Sequence, residues 1–389
     1  MRVLQLSPLL DELGTYPFAR LTEARARAEA RGVRLIDFGV GEPREETPAF
    51  IRRALIEAVE AEPVSAYPLA AGLPELREAI AAWLRGRFGV SLDPGIEILP
   101  TLGSKEAIYH LAQVLIGPGS PRDLVAVTTP GYPVPARGAR FAGAGVVELP
   151  LDPASGWLPD VSVLDDATWR RLALIWVNHP GNPTGATAPP AFYRDLAERC
   201  RREGVVLASD EAYSEIWLDG EPPASVLQVD DPTHVLAFHS LSKRSSMPGY
   251  RSGFVAGDPL LIAAMKQVRP SQGVTPQTFV QRASIAAWGD ERHVEETRDR
   301  YRAKRDVLLP ALQAAGLEHV GGPAAFFLWC AVPGDGDAQA LAERLLGQGI
   351  VVAPGTFFGA GGAGHVRVAL VPTIEDCTRA AESLAALAQ

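Results

Sequence analysis

Between residues 124 and 290 short apolar runs recur, each closed by polar or small residues: LVAVTTP (124–130), LALIWVN (172–178), GVVLASD (204–210), VLAFHS (235–240) and GFVAG (253–257). Runs of this length, rich in Val, Leu, Ile and Phe, predict strands buried on both faces. Helical periodicity marks FIRRALIEAVEAE (50–62), PELREAIAAWLRGRF (74–88), KEAIYHLAQVLI (105–116) and AFYRDLAERCRREG (191–204). Pro74 suits a first helical turn. Alternation of the two patterns predicts an α/β domain around a mainly parallel sheet. The pattern changes at residue 291, where ERHVEETRDRYRAKRDVLLPALQAAG predicts a long charged helix, followed by short strands and a C-terminal helix. The expected organisation is an N-terminal arm that joins a small domain (1–49), a large domain (50–290) and a small C-terminal domain (291–389), with no repeat and no Ser/Gly linker.

Composition narrows the function classes. A chain of 389 residues with 47% hydrophobic content can bury the cores of two domains. Its net charge of −9 argues against a broad electropositive surface for nucleic acid. No apolar run reaches the roughly 18 residues of a membrane helix, and the N-terminus lacks a secretory pattern. Cys200, Cys330 and Cys377 are scattered and match neither a disulfide framework nor a metal site, which suits a reducing cytoplasm. Arginine supplies nearly all the positive charge. Lysine stands only at Lys105, Lys243, Lys266 and Lys304, so each is a candidate for chemistry closed to arginine, such as imine formation.

Ligands of α/β sheets gather beyond the carboxyl ends of the strands. Three successive predicted strands deliver polar residues there: Asn178 to Gly185 (NHPGNPTG), then Asp210, Glu211 and Tyr213, then Ser240, Ser242 and Lys243. Each alone reads as a turn or cap; three in a row read as a site. Lys243 lies in a Ser-rich turn, SLSKRSSMPGYRSG, with Arg244 beside it and Arg251 eight residues on. Neighbouring cations and burial lower an amine's pKa and favour attack on a carbonyl. The hydroxyls of Ser240 and Ser242 and the guanidinium of Arg251 could cradle a phosphate, and Asp210 could protonate a ring nitrogen. Those are the groups that pyridoxal 5'-phosphate (PLP) requires.

The same stretch resembles the S-x-S-K-x(7)-R signature of fold-type I aminotransferases. GEP (41–43), AYPLAAG (66–72), GSKEAI (103–108), PGNPTG (180–185), SDEAY (209–213) and HVRVAL (365–370) follow that family's order and spacing, so the resemblance spans nearly the whole chain. It implies a large domain with a mainly parallel seven-stranded sheet, a smaller α+β domain, and PLP as cofactor. By the resemblance Lys243 is the Schiff-base lysine and proton shuttle, and Asp210 pairs with the pyridine nitrogen. Asn182 and Tyr213 reach the phenolic oxygen, and Tyr132 stacks on the ring. Gly103, Ser104, Lys105, Ser240, Ser242 and Arg251 surround the phosphate, with Tyr67 contributed by the other subunit of a homodimer. Arg367 grips the substrate α-carboxylate, helped by the Gly41 backbone and Asn182. LSPLLDELGTYPFARL, VGEPREETPAFI, ASDEAYSEIW, FHSLSKRSSMPGYRSGFVAGD and ASIAAWGDERHVEETRDRYRAK are most similar to N-succinyldiaminopimelate aminotransferases. That implies transfer from glutamate to N-succinyl-2-amino-6-oxopimelate in lysine biosynthesis, with Arg44 and Arg269 as candidates for the distal carboxylates. VRPSQGVTPQ (268–277) and GAGGAG (359–364) depart from that pattern. Other class I/II aminotransferases, of aspartate, alanine or LL-diaminopimelate type, and PLP-dependent carbon–sulfur β-lyases share the same core residues.

Two literal motifs point elsewhere. Ser240 to Lys243 reads S-x-x-K, but the S-D-N and K-T-G elements of penicillin-recognising enzymes are missing. Gly359 to Gly364 reads G-x-G-x-x-G, but it precedes a strand-like run instead of opening a helix, and reads as a glycine loop. A regulator built on an aminotransferase-like body would need an N-terminal DNA-binding domain before GEP at residue 41.

Overall fold

The computed structural model describes residues 4–13, 23, 25–27, 29–334 and 336–387. Strand β1 (Ile36–Asp37) precedes seven strands of one sheet: β2 (Ile98–Thr101), β3 (Leu124–Thr129), β4 (Gly145–Pro150), β5 (Leu172–Asn178), β6 (Val206–Asp210), β7 (Val235–Ser240) and β8 (Gly253–Gly257). Their spatial order is β2-β8-β7-β6-β5-β3-β4. Neighbours are parallel except β8, which is antiparallel to both β2 and β7. The seven-stranded, mainly parallel sheet is thus as expected. Strands β2 and β4 are additions to the expected set; ILPT carries a proline and GVVELP a glycine and a proline, which weaken a strand reading.

The central strands are buried on both faces because helices cover both. Side chains of β7 alternate: Val235 and Ala237 join one core with the helices Pro74–Phe88, Pro190–Glu203 and Thr278–Trp288, while Leu236 and Phe238 join the opposite core with the helices Ser104–Leu115 and Pro259–Gln272. Pro74 occupies the first turn of its helix, and Gly89 closes it at φ 71°.

A third core lies beyond the sheet edge. Strands β9 (Glu318–His319), β10 (Phe327–Ala331), β12 (Ala353–Pro354) and β13 (His365–Ala369) form an antiparallel sheet in the order β12-β13-β10-β9, and β11 (Ile350–Val351) pairs in parallel with β1. The long charged segment is the helix Arg292–Ala314, which packs with the C-terminal helix Ile374–Leu387. Phe38, Tyr213, Tyr301, Phe326 and Phe327 share this core, so it reaches the large sheet through Tyr213. All three cysteines are buried and free. Among the described residues no helix is long and apolar enough to cross a membrane.

Candidate active site

Strand direction sets the site. Strands β3, β5, β6 and β7 are parallel and end at one sheet edge. Two antiparallel steps through β8 make β2 run the same way, so Leu102–Ser104 emerges at that edge too. The same reversal makes β8 begin there, just after Arg251. Residues far apart in the chain therefore line a single cavity of about 510 Å³, within the range of small-molecule sites. Its wall includes Gly41, Ser104, Lys105, Tyr132, Asn182, Asp210, Tyr213, Ser240, Ser242, Lys243, Arg251 and Arg367.

Register joins the tips. Asn178 pairs with Asp210 across β5 and β6. The Asn178 amide donates to the Asp210 carbonyl at 2.7 Å, and its Oδ1 accepts the Asn182 N–H at 2.8 Å. Asn178, a wall residue itself, thus brings Asn182 to the neighbouring strand end. Asp210 is 6% exposed, and burial pushes its carboxyl up to about 6 despite the Ala212 N–H that it accepts at 3.2 Å. Such an acid gains from a buried cationic partner.

Lys243 lies on a one-turn helix, Leu241–Arg244, where the sequence predicts a tight turn. The Ser240 hydroxyl caps it by accepting the Ser242 N–H at 3.2 Å. Lys243 Nζ donates to the Gly41 carbonyl at 2.7 Å. Burial, then the Arg367 guanidinium, brings its amine down to about 7, with Glu42 opposing. Arg244, expected to contribute, does not. The helical turn sends its side chain the other way, over Trp288 and Trp83 and onto the Ala287 carbonyl and Glu291.

Arg367 is 2% exposed. It donates to Asn182 Oδ1 at 2.8 Å and to the Gly39 carbonyl at 2.7 Å, with its guanidinium over the rings of Phe327 and Phe358. Gly41 stands against this group: a Cβ there would lie 2.9 Å from the Phe327 ring and 3.5 Å from Arg367 Nη2. The Gly39 carbonyl and the two aromatic rings escaped sequence reading. Phe327 is hidden in an ordinary apolar strand; the glycine loop that follows Phe358 was the only signal near it.

At the opposite end Ser104 and Lys105 begin the helix Ser104–Leu115, where free backbone N–H groups favour an anion. Arg251 Nη1 contacts Ser242 Oγ at 3.4 Å, and Nη2 donates to the Leu102 carbonyl at 3.2 Å. Gly103 leaves room for this: a Cβ would sit 2.6 Å from Arg251 Nη2. Lys105 Nζ lies 5.9 Å from the centre of the Tyr132 ring. The donor set suits PLP, with an amine of lowered pKa, a buried acid, and hydroxyls and a guanidinium around a helix start.

Four expected residues lie off the wall, Gly103 behind Arg251 among them. Arg44 is drawn to the buried Asp37 at 2.8 Å, which also accepts the Gly39 N–H. Arg269 is buried against Glu106 at 2.9 Å. Both satisfy acids near the site instead of facing the cavity. Tyr67 is fully exposed. The glycine loop precedes β13, as its sequence implies, and packs closely: a Cβ on Gly362 would lie 2.0 Å from the Gly355 carbonyl.

Residues 33–384 match the family described as aminotransferase class I and II. An LL-diaminopimelate aminotransferase of Nitratidesulfovibrio vulgaris is 40% identical over 374 residues, 95% of this chain and 96% of that protein. A single mutant of Thermus thermophilus aspartate aminotransferase superposes with a TM-score of 0.90 at 32% identity, covering 99% of this chain and 100% of that one. A probable N-succinyldiaminopimelate aminotransferase from Thermus thermophilus gives 0.87 at 30%, covering 95% and 99%.

Proposed function

The chain belongs to the class I and II aminotransferases, a PLP-dependent family, and on that premise we propose that it exchanges an amino group between glutamate and a diaminopimelate-type substrate. The observation that carries this reading is the convergence of Lys243, Asp210 and Arg367 on one cavity. Bound PLP supplies the electron sink that makes the substrate Cα–H acidic. Lys243 would carry the cofactor covalently and move the proton at Cα, a task suited to an amine titrating near neutral pH. Asp210 would pair with the ring nitrogen. Asn182 and Tyr213 would reach the phenolic oxygen, and Tyr132 would stack on the ring. Gly103, Ser104, Lys105, Ser240, Ser242 and Arg251 would enclose the phosphate. Arg367 would take the α-carboxylate as a bidentate fork.

The sequence segments resemble N-succinyldiaminopimelate enzymes, whereas the LL-diaminopimelate relative is more similar in identity than that structural neighbour. We favour LL-diaminopimelate. Glu42, an acid that the cofactor does not need, lies on the wall; it would attract a free distal ammonium and repel the added carboxylate of a succinyl group. Tyr67, exposed together with Val64 and Leu69, would serve the phosphate of a second copy in a homodimer; sedimentation of the purified protein as a dimer is the expected outcome.

The test is a half-reaction screen. The PLP-loaded protein is mixed separately with glutamate, LL-diaminopimelate, N-succinyl-LL-diaminopimelate, aspartate, alanine and cystathionine, and keto acid, pyruvate and thiol are followed. Keto acid from glutamate and LL-diaminopimelate supports the reading. Preference for the succinyl derivative returns the assignment to that substrate, and thiol release from cystathionine replaces transfer with β-elimination.

A further inference from the structure

Arg269, expected at a distal carboxylate of the substrate, is instead buried against an acid of the protein. It stands in the last turn of the helix Pro259–Gln272, is 2% exposed, and donates from Nη2 to Glu106 Oε1 at 2.9 Å. Glu106 belongs to the first turn of the helix Ser104–Leu115, which starts on the cavity wall. A carboxylate in a first turn complements the helix dipole, but it also repels any second anion at that helix start. A buried guanidinium on this carboxylate removes much of the repulsion.

The contact continues toward the cavity. The same Glu106 Oε1 accepts the Leu102 N–H at 3.1 Å. The Leu102 carbonyl accepts Arg251 Nη2 at 3.2 Å, and Arg251 lines the cavity. His110 Nδ1 lies 3.4 Å from the other Glu106 oxygen. Arg269 is thus linked through Glu106 and the backbone of Leu102 to the arginine at the anion end of the site. Direct contact with substrate is not needed to explain why an arginine is buried there.

We propose that Arg269 and Glu106 form a positioning pair for the cofactor phosphate: Arg269 neutralises the acid so that an anion can share the helix start, and Glu106, by accepting the Leu102 N–H, fixes the backbone of the residue whose carbonyl accepts from Arg251. This rests on the aminotransferase reading of the cavity. The pair acts on the phosphate alone, which separates it from a general structural role.

The full-length wild type, Arg269→Gln, Glu106→Gln and the double variant are titrated with PLP and, separately, with pyridoxal, which lacks the phosphate; absorbance reports binding. Arg269→Gln is expected to weaken PLP about tenfold and to leave pyridoxal unchanged, the size expected for a partly buried charge at a helix terminus. Adding Glu106→Gln is expected to bring PLP affinity back to within about threefold of wild type, because the uncompensated acid is gone while an acceptor for Leu102 remains. The proposal is overturned if Arg269→Gln binds PLP as wild type does, if it loses PLP and pyridoxal equally, or if the double variant is as weak as the single. Should Arg269→Gln not fold, Glu106→Gln decides alone. PLP affinity at or above wild type upholds the pair, and weaker binding overturns it. A wild type that takes up neither compound overturns the aminotransferase reading, and the pair with it.

Discussion

The two ends of the cavity are built differently. The end around Lys243 and Asp210 is made from neighbouring strand tips of one sheet, where register alone places Asn178 opposite Asp210 and Ser240 opposite Gly253. The end around Arg367 combines two paired strands of the small sheet, β10 with Phe327 and β13 with Arg367, with segments outside any common sheet: the Gly39–Gly41 loop, Asn182 and Phe358. In the first the backbone ladder fixes the spacing. In the second, side chains from separate cores meet around a buried guanidinium, and close packing fixes it. The first end suits a resident cofactor. The second, with an arginine held by two acceptors and two rings, suits a carboxylate that comes and goes.

Substitutions should separate these ends. The largest effect is expected at Lys243: Lys243→Ala should lower the transfer rate by about 10⁴-fold, the upper range for loss of a positioned base, measured by single-turnover kinetics with glutamate. Next is Arg367→Ala, which should reduce kcat/KM for every amino acid tested by about 2–5 kcal/mol, the range for a buried charged partner, while PLP affinity holds. Equal loss of PLP in that variant would dissolve the distinction between the ends.

A stability experiment sharpens it further. In the cofactor-free chain Lys243 titrates near 7 when folded and at its ordinary 10.5 when unfolded. Folding therefore expels a proton between those values, so this group's contribution rises as pH increases from about 7 and its full cost is borne below that. Asp210 has the opposite slope. Its folded value near 6 exceeds the ordinary 3.8, so its contribution falls as pH rises from about 4 to 6 and stays lost above. Lys243→Met should stabilise the cofactor-free protein by on the order of a few kcal/mol at pH 6, with the gain fading toward pH 10. Thermal melts across that range check both size and slope. Gly41→Ala is expected to give the smallest change, raising KM a few-fold because its methyl would press on the Phe327 ring, which lies under Arg367.

Much of the first end was legible in the sequence, and less of the second. Apolar runs ending in Asn178, Asp210 and Ser240 announced adjacent strand tips, because a buried parallel strand has a strong pattern and its end is where polar residues resume. Strands β2 and β4 were not legible, since ILPT and GVVELP carry turn-like residues within short runs. Arg44 and Arg269 show where reasoning from charge fails: both are cations near the site, yet the acids that claim them, Asp37 and Glu106, are identified only by packing. Arg244 fails for a related reason. Adjacent residues on a helical turn point to different sides, so proximity in sequence to Lys243 brings no electrostatic influence.

The central claim is that Lys243 carries the cofactor. It is tested most directly by reducing the PLP-loaded protein with borohydride, digesting it and locating the added mass among peptides holding Lys105, Lys243, Lys266 and Lys304. The account predicts the cofactor on the Lys243 peptide alone, and none retained after reduction in Lys243→Ala. Label on another lysine, or undiminished labelling in that variant, would contradict it.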